Sequence, residues 1–297
     1  MMFEPLPYDT AAYAATLAHI GTPWGIPEWP GALLASAIPG EPERYDLVGP
    51  WPYCTPPSAE QLPMLTAALR TQGFVTFRAF FRPDSNPPVS DLQRHGFVVT
   101  PLKEHFVFDP RLDMPTHSAK TRYNIRRAQR RWTVDQVSLA DHHSLIARYH
   151  DTLTQNRPFS AMAALGPMHL SLLGDVPGVN TLAAFDSEGL GAALITLHSR
   201  HSVHFHLIAG ADRAYQTCAF YALYQAALDR WGQQFTLYLG GAPSAANGPG
   251  IARFKRRFAN RSAPILMAYT IVDSDAYQRL VCACAAPNPN WFPPYRG

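Results

Sequence analysis

The sequence predicts an α/β protein built from two domains, and three observations predict it. Helix-period and strand-period segments alternate along most of the chain. The 297 residues suffice for two domains of ordinary size. Apolar residues at 47% against charged residues at 16% provide material for cores and exclude a disordered chain. The expected division is 1–115 and 116–297, each half organised around a mixed central sheet.

In chain order, residues 10–20 begin on an N-capping Thr10 and are alanine-rich, so they read as a short helix. A proline-rich passage follows, in which Tyr45 to Tyr53 reads as an edge strand entering a loop, since prolines cannot donate to a ladder. Ser58 starts a second helix that runs to Gln72 and stops at Gly73. Residues 74–81 read as a buried strand, 90–95 as a short helix ended by Gly96, and 97–108 as two strands or one bent strand. A basic helix spans 118–131, followed by a strand at 133–137 and a helix at 141–155. From Asn180 three strands are expected (181–185, 191–198 and 202–209), then a long helix over 215–231 closed by Gly232. Next come an apolar strand at 235–239, a small-residue turn, Gly240-Gly241-Ala242-Pro243-Ser244, a helix over 250–258 and a last strand reaching 272.

Three features carry chemistry. The first is Lys255, one of only three lysines (with Lys103 and Lys120), beside Phe254 on the helix after the glycine pair. A compact ammonium against an aromatic wall can stabilise charge on an acyl-transfer intermediate. The same pattern also fits a lysine whose stem covers core while its head stays wet. The second is the basic helix, on which Arg122, Arg126 and Arg130 share one face and Arg127 and Arg131 form a second row. Like charges at that spacing cost roughly 0.2–0.5 kcal/mol per pair, so either an anionic ligand such as phosphate or acidic partners on the same protein offset them. The third is the group His198, His201, His204 and His206. His204 and His206 point to one strand face, but no carboxylate or cysteine completes a metal site, so they are expected to line a substrate cleft and no metal is expected.

Global properties narrow the classes. A net charge of +3 is too weak by itself to imply nucleic acid. Cys54, Cys218, Cys282 and Cys284 lack zinc-type spacing and fit a reducing cytoplasm. The N-terminus lacks a basic region followed by an apolar run, and no run of about 18 apolar residues exists, so neither a signal peptide nor a membrane span is expected.

The order of elements over 180–272 follows that of the N-acetyltransferase (GNAT) fold. Tyr238-Leu239-Gly240-Gly241, followed by Ile251-Ala252-Arg253-Phe254-Lys255-Arg256-Arg257-Phe258, resembles the C-terminal signature of the Fem family and related GNAT-like transferases. The segment 120–128 resembles the stretch that opens the second of that family's two GNAT-like domains, and Tyr45 to Tyr53 and Phe292 to Arg296 resemble segments of smaller relatives. The resemblance implies two GNAT-like domains and the activity of that family, which joins aminoacyl groups from aminoacyl-tRNA to peptidoglycan precursors. It implies that Phe254 and Lys255 lie at the reaction centre, with Lys255 steadying the oxyanion, and that Arg122 and Arg126 help hold a nucleotide or phosphate part. Tyr123, Tyr238, Gly240, Gly241, Ser244, His204 and His206 complete the expected substrate-binding set. The family's coiled-coil arm is absent from this sequence. A GNAT phosphate loop of the Gln/Arg-x-x-Gly-x-Gly/Ala type is absent too, its place reading Ala211 to Thr217. The expectation is therefore an amide-forming acyltransferase with aminoacyl-tRNA as favoured donor, acyl-CoA as the alternative, an amine acceptor that can be phosphorylated, and no cofactor besides the donor. A non-catalytic RNA-binding or structural module of the same fold is the reading from a different class.

Overall fold

The structure, a computed structural model, describes residues 6–26, 29, 31–155, 165–242, 248–289 and 291–296, with 153–155 as backbone only. It groups into two compact units, Met1–Leu102 with Ile265–Gly297, and Lys103–Pro264. The chain passes from one to the other inside strands, so the division differs from the expected one at 115/116. Pairing explains this: the last strand of the chain lies beside residues of the first unit, and no local sequence signal marks such a partner.

In the first unit, α1 (Ala11–Ala15) starts on Thr10, whose hydroxyl accepts from the Tyr13 N–H. It is shorter than the helix expected over 10–20. Strands β1 (Thr22–Gly25), β2 (Ala32–Ile38) and β3 (Glu41–Val48) form an antiparallel meander. A short 3-10 turn over Ala59–Gln61 leads into α2 (Leu62–Thr71), and the chain leaves α2 through Gly73 at φ +75°. Strand β4 (Phe74–Phe81) is buried along its whole length and runs parallel to β3. β3 is thus paired on both sides and is not an edge. Pro50 and Pro52 fall beyond its end, where no ladder donor is needed. After α3 (Val89–Arg94), a single strand, β5 (Val98–Phe108), carries the chain into the second unit.

There the elements are α4 (Ala119–Arg131), β6 (Thr133–Val137), α5 (Leu139–Gln155), α6 (Pro167–Leu173), β7 (Val179–Asp186), β8 (Gly189–His198) and β9 (Ser202–Gly210). They continue with α7 (Asp212–Gln216), α8 (Ala219–Trp231), β10 (Thr236–Gly241) and α9 (Gly248–Lys255). Within this unit the strand order is β5-β10-β9-β8-β7-β6, antiparallel throughout except for the parallel pair β9 and β10. The expected helix over 215–231 is two helices. Cys218 sits between them in the left-handed region at φ +67°, and the Trp132 indole donates to the Thr217 carbonyl and hydroxyl at the break. One face of the sheet packs on α4 and α8 through Phe106, Phe108, Ile125, Ala128, Trp132, Leu223, Tyr224, Leu237, Leu239 and Phe258. Burial of the larger of these side chains contributes about 1.5–3 kcal/mol each.

Strand β11 (Arg261–Ile271) returns to the first unit and pairs antiparallel with β4. Helix α10 (Ser274–Ala283) then starts on Asp273, whose carboxylate accepts from the Ala276 N–H. Each unit is an α/β layer on a mixed sheet.

Candidate functional site

The parallel pair in the second unit sets the site. β9 and β10 stay in register from Ser202↔Thr236 to His204↔Tyr238, where pairing ends although β9 continues to Gly210 and β10 to Gly241. On its other side β10 follows β5, with a bulge between Tyr238 and Gly240 that sets Gly240 opposite Phe106 and Gly241 opposite His105. Alternation along β5 then puts Lys103, His105 and Val107 on one face.

Lys255, the last residue of α9, reaches this corner, and its Nζ donates to the Gly241 carbonyl at 2.8 Å. Both glycines are required by the close approach. Gly240 has φ +80°, and a Cβ there would lie 2.9 Å from the Lys255 ammonium. A Cβ on Gly241 would lie 2.8 Å from the His105 ring and 3.0 Å from the Glu104 carbonyl. The Lys255 side chain is partly exposed, but its ammonium end is enclosed, and burial with the nearby charge of Lys103 pushes its pKa down to about 7. Burial likewise lowers Lys103. His105 is held well below the ordinary imidazole range, first by burial and then by Lys103, Lys255 and His204. Burial thus brings the proton affinity of Lys255 down toward the neutral range.

Basic helix α4 borders the same unit. Its inner face buries Thr121, Ile125 and Ala128, while Arg122, Arg126, Arg127, Arg130 and Tyr123 face outward, Tyr123 being 59% exposed. Arg131 and Arg213 both meet Asp186 at 3.4 Å, so acidic partners offset the C-terminal end of the helix. Among the described residues no ion pair reaches Arg122, Arg126, Arg127 or Arg130. The start of α4 lies by the end of α9, where the His117 ring contacts Phe258 at 5.6 Å.

No family model and no curated protein matches the sequence. Solved structures do. FemX superposes over 91% of this chain and 93% of its own, with a TM-score of 0.65 at 10% identity. The C-terminal domain of a putative lysylphosphatidylglycerol synthetase from Agrobacterium fabrum covers 90% and 89% (TM-score 0.59, 15% identity). L-PGS from Bacillus licheniformis covers 86% of each chain (TM-score 0.56, 14% identity). The chain has a Fem-like, GNAT-type fold.

Within this Fem-like fold the expected site residues fall into three groups. Lys255, Gly240 and Gly241 come together as described, while Ser244 lies outside the described residues. Tyr238 and His204 are next to them: both are buried, their rings stack at 4.7 Å with planes 2° apart, and the His204 Nε2 bonds the Ser202 hydroxyl at 2.8 Å. Phe254 points instead into the aromatic cluster, 5.0 Å from Tyr221, 4.8 Å from Tyr224 and 5.3 Å from Phe258, so it anchors α9. His206 turns to another partner, the His169 ring on α6, with 3.1 Å between their Nε2 atoms. His198 lies against Trp231, and His201 is exposed. Among the described residues no three His, Cys, Asp or Glu side chains are grouped to hold a metal, and no helix is long and apolar enough to cross a membrane.

Two members of the cluster, Lys103 and His105, escape the sequence reading. The scarcity of lysine was a signal for Lys103. Nothing local singles out His105, whose place depends on its pairing with Gly241.

Proposed function

We propose that the protein is an acyltransferase that forms an amide by moving an aminoacyl group from aminoacyl-tRNA to an amine acceptor, with Lys255 at the reaction centre. The observation that carries this reading is the ammonium of Lys255 fixed on the Gly241 carbonyl where the parallel strands part. There it sits where the β9–β10 ladder ends, on a stretch of β10 that stays paired with β5. In the step proposed, the acceptor nitrogen attacks the ester carbonyl carbon of the donor, and the carbonyl oxygen takes up negative charge next to the protonated Lys255. The C–N bond is made, the bond to the ribose oxygen breaks, and the amine proton leaves with the ribose hydroxyl. Preorganised positive charge of this kind acts on the transition state more than on the substrate. The sequence shows no nucleophilic triad, so direct transfer is proposed rather than a covalent enzyme intermediate.

The exposed arginines of α4 favour the tRNA donor over acyl-CoA, because a row of guanidinium groups on one helix face matches a phosphate backbone. The resemblance of the 238–258 stretch to the Fem signature points the same way. The test is a donor competition: purified protein with charged tRNA or acyl-CoA, a mixed pool of amines, and mass spectrometry of the products. Amide formation at the expense of charged tRNA, lost in Lys255→Ala while tRNA binding persists, supports the proposal. Consumption of acyl-CoA alone replaces the donor. Consumption of neither, with RNA affinity indifferent to Lys255→Ala, assigns the fold to a binding module.

A further inference from the structure

Every residue from Arg253 to Arg257 except Phe254 is a cation, and no acid occurs between Gly248 and Phe258. Two of these cations are taken up inside the unit. Lys255 donates to the Gly241 carbonyl, and Arg257 donates to the Tyr221 hydroxyl and lies over that ring at 5.7 Å. Arg253 and Arg256 are exposed, and among the described residues no ion pair reaches either. The Arg256 N–H still donates to the Ala252 carbonyl, so the helical path of α9 extends through it and the two arginines, three positions apart, share its outer side.

Arg256 is aimed back at the strands. Its guanidinium lies over the Phe106 ring at 5.5 Å. Phe106 stands opposite Gly240, and residues directly opposite in an antiparallel ladder project to the same face. A Cβ on Gly240 would lie 2.9 Å from the Lys255 ammonium. The charges of two successive residues, Lys255 and Arg256, therefore meet on one face of a single strand pair. A guanidinium resting on an aromatic face keeps its edge N–H groups for an anion, and that planar fork matches two oxygens of a phosphate.

We propose that Arg256, supported by Arg253, binds a phosphate group of the acyl donor beside the ester attacked at Lys255. Only the word donor rests on the transferase reading; the phosphate site rests on the placement of Arg256. Both candidate donors carry phosphate. In aminoacyl-tRNA the 5′-phosphate of the last nucleotide is one ribose away from the ester, whereas in acyl-CoA the whole pantetheine arm separates phosphate from thioester. Adjacent cations over one strand pair match the shorter reach, which makes the terminal nucleotide of charged tRNA the expected source. The contact of His117 with Phe258 then joins this site to the start of α4, whose arginines take the phosphates farther along the strand.

The test measures binding by calorimetry, so that it does not depend on turnover. The probes are the RNA trinucleotide CCA with ordinary phosphodiesters, the same trinucleotide with uncharged methylphosphonate linkages, coenzyme A, and pantetheine. Arg256→Met should weaken binding of ordinary CCA by about 10–100-fold and leave the methylphosphonate form unchanged. Arg256→Lys should recover part of the loss, and Arg253→Met should show a smaller loss of the same sign. The slope of log affinity against log salt should fall by about 0.7 in Arg256→Met, the share of one phosphate contact on a single strand. Methionine still covers Phe106, so an unchanged melting temperature separates lost charge from lost packing. An Arg256-dependent response to coenzyme A but not to CCA keeps the site and replaces the donor. The proposal is overturned if the parent binds neither phosphate-bearing probe, if Arg256→Met changes the affinity of neither, or if it weakens the uncharged probes equally. Phosphate-dependent binding in a protein that makes no amide with either donor removes the transferase reading and keeps the site. A working transferase whose donor KM is unmoved by Arg256→Met keeps the reading and removes the site.

Discussion

Among the described strands each unit has a parallel pair, β3 with β4 in the first and β9 with β10 in the second, and the two pairs are finished in opposite ways. In the first unit Asp46 on β3 stands opposite Thr76 on β4 and is wholly buried. Its carboxylate accepts from the Thr76 hydroxyl at 2.6 Å and the Tyr295 hydroxyl at 2.7 Å, and it is paired with Arg296, whose guanidinium also donates to the Ser36 and Ala37 carbonyls. Nearby, Arg78 donates to the Phe292 carbonyl and lies over the Trp291 ring at 4.7 Å. One carboxylate and two arginines meet there inside the chain, and the segment 291–296 fills the face. In the second unit the ladder stops at His204↔Tyr238 and the corner holds Lys255 and its basic neighbours. One strand arrangement thus serves as a structural clamp when its charges are matched inside the chain. At the other pair the end of the ladder places the Lys255 ammonium on the Gly241 carbonyl, which makes that corner the candidate reaction centre.

The largest effect that breaks this comparison is expected at the clamp. Asp46→Ala should cost about 3–5 kcal/mol by leaving buried Arg78 and half-buried Arg296 without their buried acid, read as a lower denaturation midpoint. It should leave the Lys255 titration unchanged. At the other pair, Lys255→Met should reduce amide formation by roughly 10²–10³-fold if the ammonium stabilises the oxyanion. The same variant should be more stable than the parent at pH 7, by about 1–3 kcal/mol after loss of the bond to Gly241.

The sign of that second effect follows from linkage. The pKa of Lys255 is depressed on folding, to about 7 from 10.5, so between those values the unfolded chain binds the extra proton. Stability of the parent should therefore climb as pH rises through that window, and the climb should be missing in Lys255→Met when melting is followed from pH 6 to 10. Activity should run the other way, with kcat/KM falling above about pH 7 as the ammonium loses its proton.

Smaller effects sharpen the geometry. Gly240→Ala places a side chain at φ +80° and against the lysine, and should cost roughly 1–2 kcal/mol in stability together with displacement of Lys255. Arg122→Ala with Arg126→Ala should weaken tRNA binding and reduce the slope of log affinity against log salt by about 1–2, with little change in melting temperature because both side chains are exposed. If the slope is unchanged, the exposed face of α4 is a solvated surface and the donor contacts lie elsewhere.

Much of the chain was legible because its signals are local. Strands β4, β6 and β8 and helix α4 have their periodicity, caps and stops written within a few residues, as with Ser118, whose hydroxyl accepts from the Thr121 N–H. The glycine pair followed by Phe254 and Lys255 was legible as well, since glycine at a strand end and a rare lysine stand out against this composition. The break at Cys218 was not, because a left-handed cysteine held by contacts around Trp132 has no sequence signature. Nor was the division into units, which depends on β11 pairing with β4 across almost 200 positions of chain.

The sequence by itself determined the elements, the α/β class and the identity of the lysine worth watching, for those depend on the preferences of neighbouring residues. Only the tertiary structure decided that Phe254 faces core while Lys255 faces Gly241, that His204 and His206 keep different company, and that Lys103 and His105 join the site. Those outcomes follow from strand register and from which charges are buried together. Both are set by contacts between residues far apart in the chain, and no local pattern encodes them.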